Sequence, residues 1–109
     1  MHTEPLAEPP IFEATVILDT VTVVLGGEFD TTSESFLSSR LDQIRKAKPR
    51  RLIFEAAQVA FMDCASARLI ADTGRWLPVG LKPVIRHPSP IVHRVFQVSG
   101  IGSLCEFEC

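Results

Sequence analysis

The sequence predicts a small α/β domain, with helices packed against a mixed, mostly parallel sheet of about four to five strands. Two observations carry this prediction. Short runs rich in Val, Ile and Leu alternate with amphipathic segments of helical period, and Gly, Pro or capping residues separate them. The 109 residues, 46% of them hydrophobic, are enough for one modest core. Strands that alternate with helices require parallel crossover connections.

Two strands and a helix are expected first. Ile11–Leu18 and Val21–Leu25 are apolar runs joined by a hairpin-like turn at Asp19-Thr20, and Gly26-Gly27 closes the second run. Thr31 and Glu34 have the spacing of a capping box, which predicts a helix start. The helix is expected to bury one apolar stripe of Leu37, Leu41 and Ile44, supported by Phe36. It is expected to stop at Pro49.

The second half repeats the alternation. Arg51–Glu55 is expected to be a short buried strand ended by a turn at Glu55, with a loop through Gln58 and a helix over Cys64–Leu77. The predicted inner face of that helix is Ala65, Leu69, Ile70, Thr73 and Trp76. The next strand is predicted over Lys82–Arg86. A helix follows, with Ser89 as N-cap, Pro90 at its first position and a stop at Gly100. The last predicted element is an edge strand over Leu104–Phe107.

Composition and charge narrow the class of protein. Residues 1–10 are expected to be a flexible tail without a secretory leader, and residues 11–109 a single domain. No apolar run approaches the roughly 20 residues of a membrane helix. The net charge is −2 and no long basic run is present, so nucleic acid is not the expected partner. The basic cluster is typical of a solvated helix end followed by a turn and consists of Arg45, Lys46, Lys48, Arg50 and Arg51. Three cysteines without a C-x-x-C pair favour a cytoplasmic protein with no disulfide framework, metal site or cofactor.

Three segments together resemble the STAS domain family. They are Gly27-Glu28-Phe29-Asp30 after an early strand, Leu52–Asp63 leading into a helix, and Val92–Ile101 near the end. The resemblance is to the anti-sigma factor antagonist type. It implies a non-enzymatic protein that binds an anti-sigma factor of the serine-kinase type and so frees a sigma factor. It also implies partner binding by Asp30, Thr31, Asp63, Cys64, Ala65 and Ser66. Asp63 is in addition the expected N-cap of its helix.

The sequence departs from the family pattern directly after Asp63. The resemblance puts the phosphoacceptor serine at position 64, where this chain has Cys64, a thiol that a serine kinase does not normally phosphorylate. Ser66 is two residues further on, turned by roughly 200° around the helix. We therefore expect partner binding without the standard phosphorylation switch.

A redox role is an alternative for the cysteines. A thiol at a helix start lies at the positive end of the helix dipole, which favours the reactive thiolate. Oxidation of Cys64, or its pairing with Cys105 or Cys109, would then replace phosphorylation as the signal. The simpler interpretation is that Cys64 is a small, partly buried residue without a regulatory role.

Other functions have weaker support. An enzyme would need Cys64 beside a base such as His87 or His93, and nothing in the sequence brings either histidine to it. STAS-like subunits of a transporter ATPase or another signalling complex often lack the phosphoacceptor, so the Cys64-Ala65-Ser66 departure fits them about as well. A self-associating module such as a homodimer has only the odd cysteine count in its favour.

Overall fold

The computed structural model describes residues 9–109, so most of the predicted tail lies outside the described residues. A five-stranded sheet has the strand order β1-β2-β3-β4-β5, with β1 antiparallel to β2 and the other neighbours parallel. This confirms the predicted mixed, mostly parallel sheet. The strands are β1 (Ile11–Ile17), β2 (Thr20–Phe29), β3 (Arg51–Met62), β4 (Val84–Arg86) and β5 (Glu106–Glu108). The helices are α1 (Glu34–Lys46), α2 (Cys64–Asp72) and α3 (Pro90–Val98).

The three helices cover one face of the sheet. Each connects two neighbouring parallel strands that follow one another across the sheet, and right-handed crossovers place all such helices on the same side. One apolar cluster joins the inward residues of the central strands, among them Val23, Phe54 and Ile85, to residues from each helix. In residues 9–109 the opposite face carries no helix. None of the described helices has the length and apolar character required to cross a membrane.

The two central strands are longer than predicted. β2 does not end at Gly26-Gly27 but continues to Phe29, with irregular register around Gly27, whose φ of 82° is accessible to glycine. β3 likewise continues past Glu55 and Gln58 to Met62. The two extensions pair with each other, so the backbone groups of one satisfy those of the other. Gly26, Gly27 and Gln58 suggested turns because the local sequence does not reveal this pairing between residues that are distant in the chain.

Glu55 therefore lies within a strand and not at the expected turn. Its Oε2 atom is 3.9 Å from Nη1 of Arg86, and its Oε1 atom is 2.9 Å from Nδ1 of His87. Arg86 also donates a hydrogen bond of 3.0 Å from Nε to Oε1 of Glu108. These side chains join β3, β4 and β5 across the helix-free face.

The first helix matches its predicted pattern, and the second differs in length and phase. α1 buries the predicted stripe of Leu37, Leu41 and Ile44. α2 ends at Asp72 and a 3-10 turn follows over Thr73–Trp76, so it is shorter than the predicted Cys64–Leu77. Its buried residues are Ser66, Ala67, Ile70 and Ala71, with Thr73 in the turn; Ala65 is exposed, and Leu69 and Trp76 are partly buried. The inward bond of Ser66 described below sets this phase.

The C-terminal elements are shorter than, or shifted from, the predicted ones. α3 begins with Ser89 as N-cap and Pro90 at its first position, as predicted, although the Ser89 hydroxyl caps no backbone group. β4 is shorter than Lys82–Arg86 because the residues before Val84 make no strand pairing. The last strand begins later than Leu104, since residues 102–104 form a 3-10 turn.

Candidate functional site

The two motif aspartates follow paired residues at the carboxyl edge of the sheet. Phe29 ends β2, Met62 ends β3, and the two are register partners. The next residues, Asp30 and Asp63, therefore leave the sheet side by side. The backbone N–H of Asp63 donates a hydrogen bond of 2.9 Å to the carbonyl of Phe29, which joins the two strand ends directly. Segments 33 residues apart thus form one surface.

Asp30 caps a 3-10 turn over Thr31–Ser33. Its Oδ1 atom accepts hydrogen bonds from the backbone nitrogen and the hydroxyl of Thr32, at 2.9 and 2.6 Å. Ser33 Oγ accepts a bond of 2.9 Å from the Asp30 backbone N–H. The reciprocal capping box is therefore Asp30 with Ser33, and the predicted pairing of Thr31 with Glu34 is wrong because the 3-10 turn inserts before α1.

The same hydrogen bonds stabilise the ionised form of the Asp30 side chain. The Thr32 hydroxyl and backbone N–H bind the ionised carboxylate, and together they hold the pKa of Asp30 below its usual range. The side chain is thus a carboxylate at neutral pH. The neighbouring Thr31 is exposed.

Asp63 caps α2, as predicted. Its Oδ1 atom accepts a hydrogen bond of 2.8 Å from the backbone nitrogen of Ser66. The Ser66 side chain is 0% exposed, and its hydroxyl donates to the Phe29 carbonyl at 3.4 Å. Ser66 was expected among the partner-binding residues, but it lies beneath the surface and supports it.

Cys64 and Ala65 are both exposed in the first turn of α2. Residue 64 therefore has the accessibility that a modified or partner-contacting position requires. We refer to Asp30, Thr31, Asp63, Cys64 and Ala65 as the acidic turn surface. It presents two aspartates around a small centre formed by Cys64 and Ala65.

The three cysteines lie in different environments and are all free. Cys64 and Cys109 are exposed, whereas Cys105 is buried. Burial raises the pKa of Cys105 to about 12, so its thiol stays protonated and is a poor nucleophile. Of the three proposed redox positions, the structure leaves two accessible to an oxidant.

The two histidines within residues 9–109, His87 and His93, contact residues other than Cys64. His87 contacts Glu55, and the ring of His93 packs edge-on against Phe107 with 5.8 Å between ring centroids. Among the described residues neither imidazole makes a hydrogen bond to Cys64. In residues 9–109 no group of three or more His, Cys, Asp or Glu side chains is placed to hold a metal ion.

A groove next to the acidic turn surface was not predicted. It has a volume of about 920 Å³ and separates α1 from the end of α2 and the following 3-10 turn. Thr31 lines it at one end, and Asp42, Arg75 and Trp76 are also part of its wall. Trp76 was assigned to the core, but the shorter α2 leaves its ring partly exposed in this groove. No motif in the sequence marks these residues.

Comparisons with known proteins agree with this architecture. A family model described as STAS domain matches residues 12–108. Among solved structures, the chain is similar to the anti-sigma factor antagonist SpoIIAA in its unphosphorylated form, with 26% identity, a TM-score of 0.72, and coverage of 90% of this chain and 88% of that one.

Two further structures share the fold. The Bacillus cell fate determinant SpoIIAA in its phosphorylated form is 24% identical over 90% of this chain and 91% of its own, with a TM-score of 0.66. An anti-sigma factor antagonist from Mycobacterium paratuberculosis is 15% identical over 91% and 85%, with a TM-score of 0.80. No curated protein matches the chain.

Proposed function

Because the chain belongs to the STAS domain family, we propose that it acts as an anti-sigma factor antagonist. It binds an anti-sigma factor of the serine-kinase type in the cytoplasm and thereby regulates transcription that depends on a sigma factor. It acts by binding and not by catalysis. The similarity to SpoIIAA, named as an anti-sigma factor antagonist, supports this function.

One observation carries the proposal: the sheet brings Asp30 and Asp63 to the same edge, around exposed Cys64 and Ala65. A pair of acids around a small apolar centre suits a partner that offers basic side chains around an apolar contact. Cys64 and Ala65 have short side chains, which allows a partner to approach the start of α2 closely. The groove beside Thr31 extends the accessible surface along α1.

The standard phosphorylation switch is absent from this proposal. SpoIIAA is known in phosphorylated and unphosphorylated forms. The resemblance to the family implies that the acceptor position in this chain is that of Cys64. Here that position offers a thiol, and the next hydroxyl along α2, on Ser66, is buried. A phosphate would add close to two negative charges beside Asp30 and Asp63 and so release the partner. Without an acceptor at position 64, the kinase cannot release the partner by that route.

The binding surface is tested by a matched pair of alanine-to-arginine variants. Tagged protein is used to capture partners from its host, and the affinity for the recovered anti-sigma factor is measured by calorimetry. Ala65→Arg places a long cationic side chain at the centre of the acidic turn surface, and we expect it to weaken binding by at least about tenfold. Ala47→Arg makes the same change at another exposed position, after the far end of α1, and should leave affinity unchanged. Equal affinities for both variants would contradict the assignment of this surface.

A second function is a STAS-type regulatory subunit of a transporter ATPase or another signalling complex. The Cys64-Ala65-Ser66 departure fits this function about as well as the first, since a subunit of this kind needs no phosphoacceptor. The same capture experiment separates the two functions. Recovery of a transporter ATPase without an anti-sigma factor would replace the first proposal by the second.

A further inference from the structure

The two edge strands of the sheet, β5 and β1, differ in how well they are protected against pairing with a further strand. β5 is short, with three residues, and two of them are glutamates. β1 extends over seven residues, Ile11–Ile17, and Glu13 is its one charged side chain. An edge strand exposes unpaired backbone N–H and C=O groups, and proteins usually block such an edge with charged side chains, proline, a bulge or a short strand. Of these devices the seven residues of β1 have one charged side chain, Glu13.

Apolar side chains on β1 are exposed on both faces of the sheet. Ile11 is 49% exposed and Ile17 is 67% exposed, both on the helix-free face. Val16 is 56% exposed on the other face. In a monomer these side chains remain in water, which is unfavourable compared with burial in an interface. An added strand would cover them and satisfy the free backbone groups together.

The sequence of β1 is complementary to itself in the antiparallel direction. From this we propose that the β1 edge binds the β1 edge of a second copy of this chain, about a two-fold axis at which Ala14 faces Ala14. The pairs that follow are Ile11 with Ile17, Phe12 with Val16, and Glu13 with Thr15. Both residues of each pair lie on the same face of the sheet, because residues an even number of positions apart in a strand point to the same face. The contact is isologous and closes as a dimer.

The charges on β1 tolerate this register. No acid faces an acid directly, since Glu13 lies opposite Thr15 of the second copy. The two Glu13 side chains become diagonal neighbours, roughly 7–8 Å apart, so they repel one another weakly. Removal of this charge should strengthen the association.

The dimer leaves both acidic turn surfaces accessible. A two-fold axis normal to the sheet produces one continuous ten-stranded sheet with the helices of both copies on the same face. The β2 strands then run in opposite directions, so the two Asp30 turns lie at opposite ends of the dimer. One dimer could therefore bind two partner molecules. The pairing of β1 edges does not depend on the proposed function.

The test is sedimentation equilibrium of the full chain from about 10 μM to about 1 mM, the range expected for a small interface. We expect a reversible dimer. Ile17→Lys places a charge opposite Ile11 of the second copy and should weaken the dimer about tenfold or more. Val98→Lys is the matched control: Val98 is 73% exposed on α3, away from β1, and its substitution should leave the dimer unchanged. Glu13→Gln should strengthen it.

Both lysine variants change exposed side chains, so each is expected to fold, which circular dichroism verifies. A chain that stays monomeric over the whole concentration range would overturn the proposal. A dimer that Val98→Lys and Ile17→Lys weaken equally would overturn it as well.

Discussion

Two turns of this protein share a sequence pattern but not a bonding pattern. Asp30-Thr31-Thr32-Ser33 follows β2, and Asp63-Cys64-Ala65-Ser66 follows β3. Each has an aspartate as N-cap and a buried serine three residues later. In the first turn the serine hydroxyl bonds to the backbone of Glu28 and Asp30, within five residues. In the second it bonds to Phe29, which is 37 residues away.

Because of this difference the two turns have different structural roles. The first turn closes on itself through a 3-10 turn, and its polar groups are satisfied locally. The second turn leads directly into α2, and its serine connects the helix to the neighbouring strand. The first turn therefore presents its aspartate, whereas the second also positions a helix. The residues between aspartate and serine remain exposed in both turns and are free to differ in function.

The largest predicted effect comes from the exposed part of the second turn. Cys64→Ser restores a hydroxyl where the family pattern has its phosphoacceptor. With the partner kinase and ATP, we expect the variant to be phosphorylated and the wild-type protein to remain unmodified. Intact-mass spectrometry measures the added phosphate. Because two negative charges would then lie beside Asp63, the modified variant should also release its partner.

Cys109→Ser is the control for this experiment, since it makes the same change at another exposed cysteine outside both turns. It should behave like the wild-type protein. If the wild-type protein accepts phosphate as readily as Cys64→Ser, position 64 does not control phosphorylation.

The buried serine of the second turn should matter for stability. Ser66→Leu forces a larger side chain into a fully buried position against Phe29 and should lower the free energy of unfolding by about 1–3 kcal/mol. Ser39→Leu, at an exposed position on α1, should change it by less than about 0.5 kcal/mol. Urea denaturation compares the two. Equal losses would show that position 66 accommodates a larger side chain and is not tightly packed.

The sequence predicted the local chemistry of the second turn, but not that of the first, where the capping box joins Asp30 to Ser33 and not Thr31 to Glu34. Asp63 was recognised as an N-cap because an acid before a helical pattern satisfies free backbone donors. α1 was predicted from one apolar stripe. The extension of β2 and β3 and the inward direction of Ser66 were missed, because both depend on a strand distant in sequence. The local sequence at Gly27 and Gln58 indicates turns, but the pairing of β2 with β3 makes both residues part of the sheet.

The same limit applies to the candidate site. The sequence motifs indicated Asp30, Asp63 and Cys64, and the family model confirms the resemblance that was based on those motifs. The groove at Trp76 could not be predicted, since it depends on how the end of α2 and the following 3-10 turn pack beside α1.

The smallest predicted effect concerns the first turn and its dependence on pH. The pKa of Asp30 is lowered, first by the Thr32 hydroxyl and then by the Thr32 backbone N–H. A carboxyl whose pKa is lower in the folded state stabilises the fold above its unfolded value, about 3.9, and this contribution is lost as the pH falls through the folded value. We therefore expect the wild-type protein to lose more thermal stability below about pH 4 than Asp30→Asn does.

The Thr32→Val variant identifies the cause of this pH dependence. It keeps the shape of the side chain and the backbone bond but removes the hydroxyl donor, so the pKa of Asp30 should rise toward its ordinary value without reaching it. Carbon-13 NMR of the Asp30 carboxyl measures both proteins directly. If the wild-type carboxyl titrates at the ordinary value, the Thr32 hydroxyl does not stabilise the carboxylate. The first turn would then differ from the second only in its helix type and in its serine bond.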